Sequence, residues 1–239
     1  ALFVNTTGSG NTALGMNTLL SNTTASNNTA VGYAALTLNT TATGNTALGQ
    51  GSAGAVTTSP SNTCIGNGAG AAISTGAGGN VCVGYQAGDT ITTGTNNIVI
   101  GHASDTVSAT SSQSVTLGNG SITTLRCQVQ SISALSDRRD KKDIKDLDVG
   151  LDFINTLHPV KFTWNMRSGD KVDIKEAGFI AQELDESQNK FDAEEYLQLV
   201  LKDNPEKLEA AMGKLIPSMV KAIQELSAKV TELEDKLNG

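Results

Sequence analysis

The sequence predicts a mainly β, repetitive shaft, a solenoid of the β-roll or β-helix type, followed by a small α+β domain that ends in a long coiled-coil helix. Three observations predict this arrangement. A five-residue motif recurs about every 17 residues, charged residues are almost confined to the second part of the chain, and apolar residues near the C-terminus follow a heptad pattern. We expect a shaft in residues 1–120, a connecting segment in 121–135 and a second domain in 136–239, with coiled coil over about 206–237.

The two parts differ in charge. The chain has 239 residues and a formal net charge of −7, but residues 1–125 contain no Lys or Arg and only two acids, Asp89 and Asp105. Because phosphate contacts need basic side chains, nucleic acid is not expected as a partner. No apolar run approaches the roughly 20 residues of a membrane helix. No basic segment precedes an apolar stretch at the N-terminus, so neither membrane insertion nor a secretory signal is expected.

The repeat consists of Asn, two small or β-branched residues, an aliphatic residue and Gly. Its glycines are spaced by 17, 17, 17, 18, 17 and 17 residues. Seventeen residues are too few for two helices and suit one coil of two short strands and two turns. Thr, Val and Ile favour strands, and Gly, Asn and Ser permit turns. The copies lie at residues 11–15, 28–32, 45–49, 62–66, 80–84, 97–101 and, in degenerate form, 114–118.

The aliphatic position of the repeat is expected to stack into one internal ladder. One such column is thin, and residues 1–125 contain only three aromatic residues. We therefore infer that several chains share the core, and three chains are the usual solution for fibres. Over about residues 8–120 the pattern resembles the left-handed β-roll heads of trimeric adhesins and the repeats of phage fibres. The ladder comprises Leu14, Val31, Leu48, Ile65, Val83, Ile100 and Leu117.

Cysteine and histidine in the shaft have structural interpretations. Cys64 and Cys82 occupy the slot that alanine fills in earlier copies, which predicts small packing residues. His102 follows the motif glycine, as Tyr85 does one copy earlier, which predicts stacking. With Cys127 the cysteine count is odd and no CxxC spacing occurs, so no disulfide, metal or cofactor is predicted.

Residues 121–131 are predicted to form a strand that leaves the shaft. Leu125, Cys127 and Val129 alternate there with polar residues: Arg126, Gln128 and Gln130. Such alternation is typical of a half-buried strand.

Four motifs of the second part occur in a recognisable order. Ser136-Asp137 is followed by Lys141; residues 158–164 suggest a strand, 176–184 a strand that turns into a helix, and 215–226 the opening of a long helix. Together they resemble the self-cleaving intramolecular chaperone domain of phage tailspikes, tail fibres and neck appendages, over residues 136–239. One departure is Asp140, since the family often has an apolar residue just before the lysine.

The C-terminal helix carries its own association signal. Apolar residues from Met212 to Leu237 step alternately by 4 and 3, a heptad seam of about three and a half repeats. A narrow stripe of this kind indicates self-association rather than packing on a globular core. β-branched residues at a with Leu at d favour dimers in isolated coiled coils, whereas the family resemblance and the shaft imply a homotrimer. The predicted trimerisation residues are Ile216, Met219, Ile223, Leu226, Val230, Leu233 and Leu237.

The resemblance also implies a cleavage site. In the family the bond before the serine is cut and a lysine five residues on assists. Carried over, the scissile bond is Leu135–Ser136, Ser136 is the nucleophile and Lys141 the base. Serine needs such a base, and lysine serves only when neutral, against a free pKa of about 10.4. Like charges favour the neutral amine and opposite charges oppose it, which makes Arg139 and Asp137 auxiliary candidates.

Five extended residues span roughly 17 Å, far beyond hydrogen-bond reach. Positions 136 and 141 would not share a face of a helix. Either the segment turns back on itself, or Lys141 comes from a neighbouring chain.

The resemblance predicts a viral tail fibre or spike segment, assembled in the host cytoplasm, located in the virion and directed at a host-cell glycan or receptor. A trimeric bacterial surface adhesin is the alternative, and it predicts a C-terminal membrane anchor of alternating strands of about 10 residues. A separate glycan-cleaving enzyme would need paired carboxylates, whereas Asp89 and Asp105 are isolated along the sequence.

Overall fold

Each copy of the repeat folds into one coil that contributes a three-residue strand to a parallel sheet. The computed structural model describes residues 1–128 and 132–239, which fall into two units, 1–123 and 124–239. In the first unit the strands stack in chain order, and each residue pairs with its counterpart one repeat later. The solenoid is thereby confirmed. The strands are β1 (Thr12–Leu14), β2 (Thr29–Val31), β3 (Thr46–Leu48), β4 (Thr63–Ile65), β5 (Val81–Val83), β6 (Ile98–Ile100) and β7 (Val115–Leu117).

The prediction of two strands per coil is wrong, because one strand forms and turns make up the rest. Side chains and left-handed residues hold the opposite side of the coil. Leu19 and Leu36 have φ angles of 47° and 49°, and Asn22 Nδ2 donates to Ala25 O at 3.1 Å and to Asn5 Oδ1 at 2.8 Å. Backbone bonds between coils, such as that from Leu19 N–H to Ala35 O at 3.1 Å, also join this side without forming a second strand ladder.

The prediction of an internal aliphatic ladder is also wrong, because the ladder lies on the outer face of the sheet. Leu14 is 66 % exposed and Ile100 42 % exposed. Successive side chains of a strand point to opposite faces, so only the middle residue of each strand points inward. The inward positions Ala30, Ala47, Cys64, Cys82 and Val99 are fully buried.

The interior keeps its volume while its residues change. In the second and third coils Leu19 and Leu36 fill the space beside a buried asparagine. Two repeats after Leu36, Gly70 occupies the leucine position and Ile73 occupies the asparagine position, next to Cys64. A Cβ on Gly70 would lie 2.5 Å from Cys64 Sγ and 2.9 Å from Ile73 Cδ1. The larger neighbours therefore occupy the room that leucine fills earlier, as close packing requires.

A buried asparagine ladder links the coils. Asn62 Oδ1 accepts from the backbone N–H of Asn80 at 3.0 Å and from Asn80 Nδ2 at 3.2 Å. Asn62 in turn donates to Asn45 Oδ1, from N at 2.8 Å and from Nδ2 at 3.2 Å. The same pattern recurs from Asn11 to Asn97. The amides are buried but paired, so they specify the stacking register without the penalty of an unpaired polar group.

The interpretations of the shaft cysteines and histidine are supported. Cys64 and Cys82 are both buried and pair in register. A hydrogen bond to Cys82, together with burial, raises the pKa of the Cys64 thiol. The rings of Tyr85 and His102 stack with centroids 5.1 Å apart and planes 18° apart.

The second unit has a small mixed core. Strands β8 (Val160–Asn165) and β9 (Val172–Gly178) form an antiparallel hairpin, and β10 (Val200–Leu201) pairs with β11 (Glu209–Ala210). The helices are α1 (Leu151–Ile154), α2 (Ala181–Lys190), α3 (Glu194–Leu197) and α4 (Ile216–Asn238), with 3₁₀ turns at Arg138–Asp140 and Met212–Leu215. The core comprises Val149, Phe153, Leu184, Ala193, Leu197, Leu199, Val200 and Leu215.

The sequence-predicted elements of this unit correspond to β8, to β9 followed by α2, and to α4. Pro217 lies in the first turn of α4, where its missing N–H costs nothing. Residues 206–215, counted in the predicted coiled coil, precede the helix and hold β11 and a 3₁₀ turn. A coiled coil can therefore begin only at Ile216.

The predicted connecting strand is not found in residues 121–128. Leu125 is exposed there and has no neighbouring strand to pair with. Val129, Gln130 and Ser131 lie outside the described residues. Within the described ranges, none of the helices has the length and apolar character needed to cross a bilayer.

Candidate functional site

A short turn brings Ser136 and Lys141 together within one chain. Asp137 caps the 3₁₀ turn by accepting from the N–H of Arg139 at 2.8 Å, and the N–H of Lys141 closes the turn on Arg138 O at 3.2 Å. Lys141 Nζ consequently reaches Ser136 Oγ at 2.5 Å. Of the two geometries that the sequence left open, the structure has the one in which the segment turns back.

Asp137 and Arg139 form a two-pronged ion pair beside this contact. Arg139 Nη2 lies 2.6 Å from Asp137 Oδ2, and Nε lies 3.1 Å from Oδ1. The hydrogen bonds from Arg139 lower the pKa of Asp137, so the carboxylate stays ionised. Because Asp137 is engaged by Arg139 and by its own turn, it is a positioning group for the loop and leaves Lys141 free to bind Ser136.

The site is open to water in a single chain. Leu135 is 85 % exposed, and Ser136 and Lys141 are exposed as well. Lys141 Nζ donates to Ser136 Oγ in this contact, whereas a general base must accept the serine proton. Burial favours the neutral amine. Ser136 and Lys141 are thus close enough for proton transfer, but the site lacks the burial that would favour this transfer.

The segment after the site is anchored to α4, a link that the sequence analysis missed. The backbone N–H of Leu151, at the start of α1, donates to Glu225 Oε2 at 2.7 Å. A Cβ on Gly150 would overlap the same oxygen, so glycine leaves room for this approach. The only signals in the sequence were a glycine directly before an apolar run and Glu225, one of four acids on α4. Neither identifies the other without the fold.

Helix α4 has two faces with different roles. Ser218 and Ala222 are buried on the same side of the helix as Glu225, which binds the start of α1. The seven predicted trimerisation residues lie away from this face and are between 47 % and 85 % exposed. They are unpartnered among the described residues and form a continuous apolar stripe.

The β8–β9 hairpin carries a polar-aromatic cluster. Trp164 Nε1 donates to Glu176 Oε2 at 2.6 Å, and Lys171 Nζ lies 2.7 Å from that oxygen and 4.5 Å from the Trp164 ring centroid. Hydrogen bonds from Lys171 and Trp164 lower the pKa of Glu176. These contacts stabilise the hairpin and leave much of both its faces open.

Asp89 and Asp105, isolated along the sequence, interact in space. Burial and the charge of Asp105 raise the pKa of Asp89. Asp105 accepts from the N–H groups of Thr90 at 3.1 Å and Thr106 at 2.8 Å. Asp105 is therefore engaged in holding the backbone. No group of three or more His, Cys, Asp or Glu that could bind a metal occurs in residues 1–128 or 132–239.

Comparison with known proteins places the Ser136–Lys141 turn in a family context. Residues 136–193 match the model of the peptidase S74 family, described as the chaperone of endosialidase. The predicted resemblance to an intramolecular chaperone domain is confirmed. The match implies self-cleaving peptidase activity in general and suggests a trimerisation and autocleavage role of the tail fibre or spike type. No curated protein and no solved structure matches the chain significantly.

Proposed function

We propose that this chain is a segment of a viral tail fibre or spike whose second domain, residues 136–239, brings three chains together, guides folding of the shaft and then releases itself. Cleavage occurs between Leu135 and Ser136, with Lys141 as the base. The contact of 2.5 Å between Lys141 Nζ and Ser136 Oγ carries this proposal, because it lies at the start of the family match.

The chemistry follows from the position of the nucleophile. Ser136 Oγ attacks the carbonyl carbon of Leu135, and Lys141 in its neutral form takes the hydroxyl proton. The C–N bond breaks, the Ser136 nitrogen takes a proton and becomes a free amine, and Leu135 is left as an ester on Oγ. Water then hydrolyses the ester, which yields a Leu135 carboxylate and restores the Ser136 hydroxyl.

Association between chains is proposed because two exposed apolar surfaces lack cover, and the number three is taken from the family match. One is the outer face of the shaft sheet, which carries the aliphatic ladder and no charged residue. The other is the stripe on α4. Contiguous exposed apolar surfaces of this kind mark interaction sites. We further propose the virion as the location and a host-cell glycan or receptor as the target.

The experiment is a denaturing gel of freshly expressed chain with mass spectrometry of each band. The parent should yield fragments of 135 and 104 residues, and Ser136→Ala should stay full length, with Ser133→Ala as the matched control. Lys141→Ala should slow the cut by about a hundredfold or more. Lys141→Arg should not restore it because arginine stays protonated, and Lys142→Ala should cut normally.

Hydroxylamine tests the ester. It should accelerate cleavage and leave a hydroxamate on Leu135, because it attacks esters faster than amides. Unchanged cleavage in Ser136→Ala would remove the mechanism. A parent chain that forms trimers but is never cut would favour the adhesin alternative.

A further inference from the structure

The second half of α4 stands free of its own chain. From Leu226 to Gly239 every residue is exposed, whereas the first half buries Ser218 and Ala222 and the helix contacts α1. With Ile216 at position a, the g positions hold Ala222, Lys229 and Lys236, and the e positions hold Val220, Ser227 and Glu234. The charged flanks therefore lie in the uncovered half.

Two of these charges have no partner within the described chain. Lys236 Nζ binds Glu232 at 2.5 Å and Lys221 Nζ lies 3.8 Å from Glu225, both along the same helix. Lys229 and Glu234 enter none of the ion pairs formed by residues 1–128 and 132–239. They flank the seam on opposite sides.

We infer that, in the proposed homotrimer, Lys229 of one α4 helix pairs with Glu234 of the next and that this pair fixes the helices in a parallel orientation. This inference rests on the proposed homotrimer. In a parallel coiled coil a g residue faces the e residue five positions later on the neighbouring helix, and such pairs set orientation and partner choice. Lys229 and Glu234 are five positions apart, so a three-helix bundle forms this pair at each of its three flanks.

Other arrangements lose the pairing. In an antiparallel bundle g faces g and e faces e, which places Lys229 near Ala222 and Glu234 near Val220. A slip of one heptad brings Lys236 opposite Glu234 but removes a heptad of apolar contact and the Lys229 pair. Charge complementarity thus selects the parallel orientation, and the extent of apolar contact selects the unslipped register.

The test uses the full chain with Ser136→Ala, which keeps α4 attached. Sedimentation over a concentration series measures the trimer midpoint for Glu234→Lys, for Lys229→Glu and for both changes together. Each single change should weaken association by about threefold to a hundredfold at low salt, because it replaces three exposed ion pairs with like-charge contacts. The double change should restore it. Asp235→Lys, at the outward f position, makes the same charge change and should have little effect.

Salt and cross-linking separate charge pairing from a structural effect. In about 1 M salt the difference between Glu234→Lys and Asp235→Lys should shrink, because screening shortens to about 3 Å. With Gly239→Cys and Cys127→Ser, oxidation of a parallel trimer should place about two thirds of the chains in a disulfide-linked dimer, because three equivalent cysteines leave one unpaired.

The outcomes are distinguishable. Trimers that respond equally to Glu234→Lys and Asp235→Lys at low salt, or that give no cross-link in the Gly239→Cys variant, overturn the pairing but leave the homotrimer in place. A chain that stays monomeric at every concentration overturns the homotrimer and this inference with it.

Discussion

At the scale of single residues, the stacked coils depend on positions where backbone meets backbone. Gly66 has φ 134°, and a Cβ there would overlap the carbonyl oxygen of Gly84 in the next coil. Gly76 also has positive φ, 80°, but nothing lies within 4 Å of its Cβ position. Comparing substitutions at these two glycines therefore distinguishes the free-energy cost of a strained dihedral from that of a clash between coils.

Gly66→Ala should therefore destabilise the shaft more than Gly76→Ala. The control carries only the dihedral cost, about 1 kcal/mol, whereas Gly66→Ala must also push a neighbouring backbone, at about 1–3 kcal/mol more. Thermal unfolding of the cleaved shaft measures both. Equal melting temperatures for the two variants would mean that the coils do not stack as closely as described.

Asp89 gives a pH-dependent prediction. Burial and the charge of Asp105 raise its pKa in the folded state, so the ionised group opposes folding above that pKa, and the penalty disappears as the pH falls below the unfolded value of about 3.9. Asp89→Asn should raise the melting temperature at pH 7 and leave it unchanged near pH 3. An equal shift at both pH values would exclude this electrostatic origin.

At the scale of secondary-structure elements, both the shaft sheet and α4 have a covered face and an open one. The inward strand residues are small because the coil is narrow, and the large aliphatic residues lie outside. Seven strands in register turn this alternation into one apolar surface. The element, not any one residue, presents the surface that the proposed homotrimer covers.

Ile100→Lys tests whether that surface lies between chains. Ile100 is exposed in the single chain, so a lone coil tolerates lysine there, whereas burial of an unpaired charge between chains costs several kcal/mol. We expect loss of trimers in sedimentation, with Thr93→Lys on an exposed turn as the control. Trimers of unchanged stability in Ile100→Lys would place the interface elsewhere.

At the scale of the whole molecule, nearly identical coils make register between chains a folding problem. A slip of one coil exchanges similar neighbours, and register is weakly specified in Gly-rich strands with similar faces. In the proposed homotrimer, joining three chains at α4 would raise the effective concentration of their shafts. Removal of the template by the proposed cleavage would then leave the assembled shaft kinetically trapped.

This order of events predicts an asymmetry between two preparations of the same polypeptide. A chain that ends at Leu135 and is expressed alone should aggregate or stay monomeric, since nothing aligns it. Residues 1–135 released by self-cleavage should stay trimeric and resist heating in detergent. Sedimentation and a semi-denaturing gel compare them. Identical behaviour would mean that residues 136–239 are no chaperone for this shaft.

The sequence by itself determined the repeat with its stacked coils and, in the second domain, β8, β9 followed by α2, and α4, while the family resemblance pointed to Ser136 and Lys141. These follow from a period of 17, from local propensity and from motif order. Only the tertiary structure decided which face of each strand is inside. A three-residue strand shows a pattern too short to distinguish the faces, and coil width selects the small residue. The turn that joins Ser136 to Lys141 and the contact of Leu151 with Glu225 likewise depend on folding, because contacts between distant residues leave no local signal.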